Sequence, residues 1–103
     1  MSAKPPKGYW IGRVDVNDLD AYKAYVAANA TVFEKFGATF LVRGGAFENP
    51  EGTSRSRNVV LEFESYEHAR ACYHSADYQA IIPLRSEEGV SVGDVIIIEG
   101  YDG

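Results

Sequence analysis

Bulky apolar residues crowd Tyr9 to Val16 (YWIGRVDV), the mark of a strand. From Leu19 to Phe36 the period changes. Tyr22, Tyr25, Val26, Phe33 and Phe36 recur at three-and-four spacing, one face of a helix. Asn17-Asp18 offers short side-chain oxygens that can cap its unpaired N–H groups, and Gly37 stands where a left-handed turn would end it. Thr39 to Arg43 is a second strand, broken by Gly44-Gly45, with Ala46 to Glu48 as its resumption. Asn49 to Ser56 (NPEGTSRS) is a loop of turn formers. Asn58 to Glu64 alternates, with Val59, Leu61 and Phe63 on one side and Glu62 and Glu64 on the other. Ser65 caps a second helix striped by Tyr66, Ala69 and Tyr73, and Ser75 is a fresh cap for a further helical segment. Pro83 ends or kinks that segment because it has no N–H to donate. Glu87, Glu88 and Gly89 make a surface turn, and Asp94 to Glu99 (DVIIIE) closes as a strand apolar enough for burial on both faces.

The order strand, helix, strand, strand, helix, strand is the split βαβ arrangement. It predicts an α+β, ferredoxin-like fold: a four-stranded antiparallel sheet with two helices on one face. The helices leave the other face uncovered, yet Tyr9 and Ile11 on one parity are as apolar as Trp10, Val14 and Val16 on the other. A chain this short has nothing left to cover a second apolar face. A second copy packed sheet to sheet about a two-fold axis is the economical solution, so a homodimer is expected. Residues Met1 to Lys7 (MSAKPPK) read as a flexible lead-in, and residues 8–103 as a single domain.

The chain resembles the domain-of-unknown-function family 1330, in the dimeric α+β barrel superfamily. The resemblance runs from Gly8 to Gly100 and rests on Gly8-Tyr9-Trp10-Ile11 with Val14-Asp15-Val16, Phe40-Leu41-Val42-Arg43-Gly44-Gly45, Val60-Leu61-Glu62-Phe63, Tyr73-His74-Ser75 with Tyr78-Gln79, Arg85, and the strand closing at Gly100. It implies a ferredoxin-like fold that dimerises into a barrel. It implies no activity, because relatives in the superfamily range from cofactor-free monooxygenases and isomerases to haem-dependent enzymes and stress-induced barrels.

Composition narrows the function classes. A formal charge of −5, with no dense stripe of Lys and Arg, argues against nucleic acid. No run approaches a membrane span, and the first residues lack the apolar core of a secretory signal. The one cysteine, Cys72, excludes an intrachain disulfide and fits a cytoplasmic setting. His68 and His74 are six apart, which is not the spacing of a one-face metal pair, so no metal is expected. Phosphate loops, dinucleotide fingerprints and hydrolase elbows are missing from the sequence, and no cofactor is expected.

Candidate chemistry gathers on a few polar residues. Arg43, followed by two glycines, can hold a carboxylate by two parallel hydrogen bonds; it can equally pair with Glu62 across the neighbouring strand. His74 can move a proton near neutral pH, or merely cap the helix before it. His68 is expected to face solvent. Tyr78 and Arg85, seven apart, share a helix face if the register survives Pro83. Asn29 lies on the apolar stripe of the first helix, where a buried amide must find partners. Trp10 and the seven tyrosines suit a pocket for a flat ligand, with core packing as the other reading. Two functions stay open. In the first, each protomer binds or converts a small carboxylic or aromatic compound without cofactor, by isomerase- or monooxygenase-like chemistry. Arg43 and His74 then meet in one cavity, with Asn29, Tyr78, Arg85, Glu62 and Trp10 around the ligand. In the second, the protein is a non-catalytic structural or stress-related homodimer.

Overall fold

The computed structural model describes residues 5–101. Of the expected lead-in, residues 1–4 lie outside the described residues, and residues 5–7 form neither helix nor strand. The chain then runs β1 (Gly8–Val16), α1 (Leu19–Lys35), β2 (Thr39–Arg43), β3 (Arg57–Phe63), α2 (Tyr66–His74), α3 (Ala76–Ile81), α4 (Pro83–Ser86) and β4 (Ser91–Glu99). The caps form as their residues require. Asp18 accepts from the Ala21 N–H at 3.0 Å, and Ser65 accepts from that of His68 at 3.0 Å. Ser75 serves two helices: its hydroxyl donates to the Cys72 carbonyl that ends α2 and accepts from the Tyr78 N–H that begins α3. Gly37 takes φ 69° just past the end of α1, the left-handed conformation that favours glycine.

The strands form one sheet in the order β2-β3-β1-β4, and every neighbouring pair is antiparallel. This is the ferredoxin-like α+β architecture expected from the sequence. Three details differ. Residues 46–48 form no strand, because the chain leaves the sheet at Gly44. The last strand begins at Ser91, three residues before the apolar run, since its first part pairs with Val14 to Val16 of β1. Glu62 lies opposite Thr39, at the other end of β2 from Arg43; between Phe40 and Val42 the register with β3 slips, so that Arg43 faces Val59.

That slip decides which way Arg43 faces. Phe40 pairs with Leu61, and Arg43 pairs with Val59, both on the inward parity of β3. Strict alternation would have put Phe40 and Arg43 on opposite faces. The bulge at Leu41 puts them on the same one.

The core lies between sheet and helices. Trp10, Leu61 and Phe63 of the sheet bury against Tyr22, Tyr25, Val32 and Phe33 of α1, Ala69 and Cys72 of α2, and Tyr78 of α3. Trp10 is the hub. Its ring meets Phe33 edge-on at 5.2 Å and Tyr78 at 4.9 Å, and its Nε1 donates to the Ala69 carbonyl at 2.8 Å. Among the described residues, nothing covers the opposite face. Val92, Ile96 and Ile98 are 55%, 52% and 45% exposed there, so the closing strand is not buried on both sides.

Candidate functional site

A cavity of about 290 Å³ opens between the inner face of the sheet and helices α1, α3 and α4. Its floor exists because β1 carries Gly12 between Trp10 and Val14 on the inward parity; a Cβ there would meet nothing within 4 Å. The wall is the inward stripe of α1: Tyr22, Tyr25, Asn29 and Phe33. Tyr78 of α3 and Arg85 of α4 line it from the helices, and Phe40 and Arg43 of β2 and Arg57 of β3 line it from the sheet.

Four arginines border this space; Arg13 lies on the outer parity of β1 and its guanidinium donates to the Thr53 carbonyl at 2.8 Å, which leaves Arg43, Arg57 and Arg85. Arg43 lies over the Phe40 ring at 4.4 Å, a contact the bulge makes available. Arg57 packs against Gly44, whose φ is 70°; a Cβ at Gly44 would come within 2.6 Å of its Nη1. Its Nε is buried without a partner. Arg85 sits beside both phenols, 5.6 Å from the Tyr25 ring and 5.9 Å from that of Tyr78. Among the described residues, the one acid on the lining is Asp94, and Arg55 holds its carboxylate at 2.8 Å. Among the described residues, no ion pair involves Arg43, Arg57 or Arg85. In a protein of charge −5, the cavity is a concentrated positive field.

The polar groups on the helix side are coupled. The Tyr25 and Tyr78 hydroxyls are 2.6 Å apart, and Arg85 Nε donates to the Tyr78 oxygen at 3.3 Å. Burial pushes the Tyr25 phenol far above its ordinary range, and neighbouring Tyr78 adds to the rise. Burial also raises Tyr78, and it outweighs the hydrogen bond with Tyr25 and the Arg85 charge that oppose it. Both phenols therefore stay protonated near neutral pH, and Tyr78 is the one that Arg85 reaches. Asn29, only 6% exposed, has a buried Oδ1 with no partner. A buried acceptor left unpaired costs stability, and such a group on a cavity wall is a natural ligand contact.

The structure brings together Arg43, Asn29, Tyr78, Arg85 and Trp10. Two expected residues stay outside. His74 is exposed at the last position of α2, two residues past buried Cys72 and so more than half a turn round the helix. It does not share a cavity with Arg43. Glu62 is on the outer parity of β3, where it accepts from the Tyr9 hydroxyl at 3.0 Å. The expected Arg43–Glu62 pair does not form. His68, expected at the surface, is tucked inward, its Nε2 2.6 Å from the Phe36 carbonyl and its ring near Phe36 and Phe63. Cys72 is fully buried, and burial pushes its thiol up to about 12, so it is inert. Arg57 and Tyr25 were not singled out as site residues. Arg57 shares the inward parity of Val59, Leu61 and Phe63, and that alternation is the signal that could have found it.

A family model described as a domain of unknown function, DUF1330, matches residues 7–101. The chain belongs to the DUF1330 family. No curated protein matches it. Among solved structures, the DUF1330 chain is similar to a protein of unknown function from Rhodopseudomonas palustris, at 15% identity and a TM-score of 0.72, over 95% of this chain and 85% of that one. It is similar to a dimeric ferredoxin-like protein of unknown function from Thermobifida fusca, at 14% identity and a TM-score of 0.55, over 96% and 95%. It is also similar to SnoaB, a cofactor-independent oxygenase from Streptomyces nogalater, at 10% identity and a TM-score of 0.59, over 95% and 96%. At these identities the likeness establishes a shared fold. Among the described residues no helix is long and apolar enough to cross a membrane, and no three His, Cys, Asp or Glu side chains cluster as metal ligands do.

Proposed function

We propose that this DUF1330 protein is a cytoplasmic homodimer that binds a small carboxylic or aromatic compound in each protomer, in the cavity between sheet and helices, without a cofactor. The observation that carries the reading is the set of three guanidiniums on one cavity with no counter-carboxylate of their own. Arg43 is exposed at the cavity mouth and Arg57 and Arg85 are half-buried, so all three can meet an entering carboxylate, which gains charge-assisted hydrogen bonds there. Arg43 anchors the anion, Arg85 and Tyr78 orient the far end, and Trp10 supplies a flat apolar wall.

Conversion of the bound compound, as isomerase- or monooxygenase-like chemistry, needs a group that moves a proton. In this cavity the candidate is the Tyr78 hydroxyl, which stays protonated and so serves as a donor, and not exposed His74. SnoaB, described as a cofactor-independent oxygenase, is an instance of such chemistry on this fold. The bare sheet face supports the homodimer, with Val92, Ile96 and Ile98 meeting their counterparts in a second copy.

A thermal-shift screen of small aromatic and aliphatic acids tests the ligand class. A stabilising acid is expected, and Arg43→Ala is expected to remove the shift while leaving the sedimentation coefficient unchanged. A screen in which no acid stabilises the protein, or a shift that survives Arg43→Ala, would contradict the reading.

A further inference from the structure

We propose that the cavity selects a hydroxylated aromatic carboxylate, its carboxylate held between Arg43 and Arg57 and its hydroxyl donating to Asn29 Oδ1; this rests on the reading that the cavity takes a carboxylate. Arg43 lies opposite Val59, and Arg57 is two residues from Val59 on the same face of β3. Diagonal neighbours of this kind sit about 7–8 Å apart at the backbone, within reach of two long side chains converging on one carboxylate. Gly44 makes the convergence possible, because it leaves room for the Arg57 guanidinium beside Arg43. Arg57 Nε, buried and unpartnered, is a donor with nothing to bond to until an anion arrives.

Asn29 defines the second half of the ligand. Its Oδ1 is an acceptor, so the ligand must bring a donor. The Tyr25 and Tyr78 hydroxyls are engaged with each other and with Arg85. A protonated amine is the wrong donor, because three guanidiniums line the same space and would repel it. A neutral hydroxyl is the donor compatible with that field. The walls set the rest: Trp10, Phe33 and Phe40 present aromatic surface, and a volume of about 290 Å³ is at the small end for ligand sites, enough for one ring.

The test is calorimetric titration of the intact protein with benzoate, the three hydroxybenzoate isomers and the corresponding methyl ethers. The ethers keep size and oxygen but cannot donate. At least one hydroxybenzoate is expected to bind about tenfold or more tighter than both benzoate and its own ether. Asn29→Leu is expected to bring each hydroxybenzoate and its methyl ether to equal affinity, and Arg57→Gln to weaken every acid about tenfold. Should Asn29→Leu fail to fold, the ether comparison in the unaltered protein decides alone. Equal affinity of parent, hydroxy and methoxy acids overturns the hydroxyl selection but leaves the carboxylate reading standing. Unchanged affinity in Arg57→Gln overturns the two-arginine grip. Failure of every acid to bind overturns this proposal together with the carboxylate reading beneath it.

Discussion

The two faces of this sheet share strands and backbone, yet they have opposite fates. On the inner face, Trp10, Leu61 and Phe63 are buried beneath helices, and a charged cavity opens beside them. On the outer face, Ile96, Ile98 and Val92 are apolar and uncovered. Along β1 the two sets alternate residue by residue: Trp10 points in and Ile11 points out. The comparison teaches that apolar character alone does not say what a surface is for. The inner face spends its hydrophobicity on folding and keeps a few polar groups on a cavity, which we assign to a ligand. The outer face carries hydrophobic area that the single chain does not use, which we assign to a second copy of itself.

The largest effect that would break this contrast lies on the inner face. Trp10→Ala removes the hub of the aromatic cluster and should cost about 3–5 kcal/mol in denaturant unfolding. A loss under about 1 kcal/mol would mean that the inner face is not the core that holds the fold. Next comes the outer face. Ile96→Asp should leave the circular dichroism spectrum unchanged but raise the dimer dissociation constant on the order of a hundredfold, seen by sedimentation, because a charge would be buried without a partner. An unchanged dimer would remove that face from the interface.

A smaller effect sharpens the cavity's role. Asn29→Leu should stabilise the ligand-free protein by about 1 kcal/mol, because it replaces an orphaned acceptor with apolar surface. A destabilisation of similar size would mean that the amide serves the fold. The smallest effect appears in alkali. The Tyr25 and Tyr78 phenols are held above their ordinary value of 10.0, so the folded state keeps protons that the unfolded chain releases. Their contribution should be full below pH 10 and fall as pH rises from there through the folded-state values. Tyr25→Phe should flatten that fall, and an unchanged alkaline profile would count against the buried phenol pair.

Much of the fold was legible because it rests on local patterns. The alternation through Val59, Leu61 and Phe63 and the three-and-four spacing of α1 each gave the element and its buried side. The site was only half legible. Asn29 on an apolar stripe, and Tyr78 with Arg85 across a proline, follow from helical spacing, and both line the cavity. His74 failed because neighbouring helix residues point in different directions, and proximity in sequence to Tyr78 says nothing about which way the ring faces. Its counterpart His68 failed in the opposite sense. The Phe36 carbonyl that receives it comes from the turn after α1, a long-range contact with no local signature. Arg43 points inward because of a bulge at Leu41 that no residue pattern announces. Arg57 obeyed a legible alternation, but it stood one residue before the strand that the sequence predicts.

The most direct test of the central claim is a paired calorimetric titration at low salt with benzoate and benzamide. The two ligands match in shape and differ in charge. A cavity built on Arg43, Arg57 and Arg85 should bind benzoate, weaken as salt is added, and leave benzamide unbound over the same range. Equal affinity for the two, insensitive to salt, would show that the guanidiniums are not there to receive an anion.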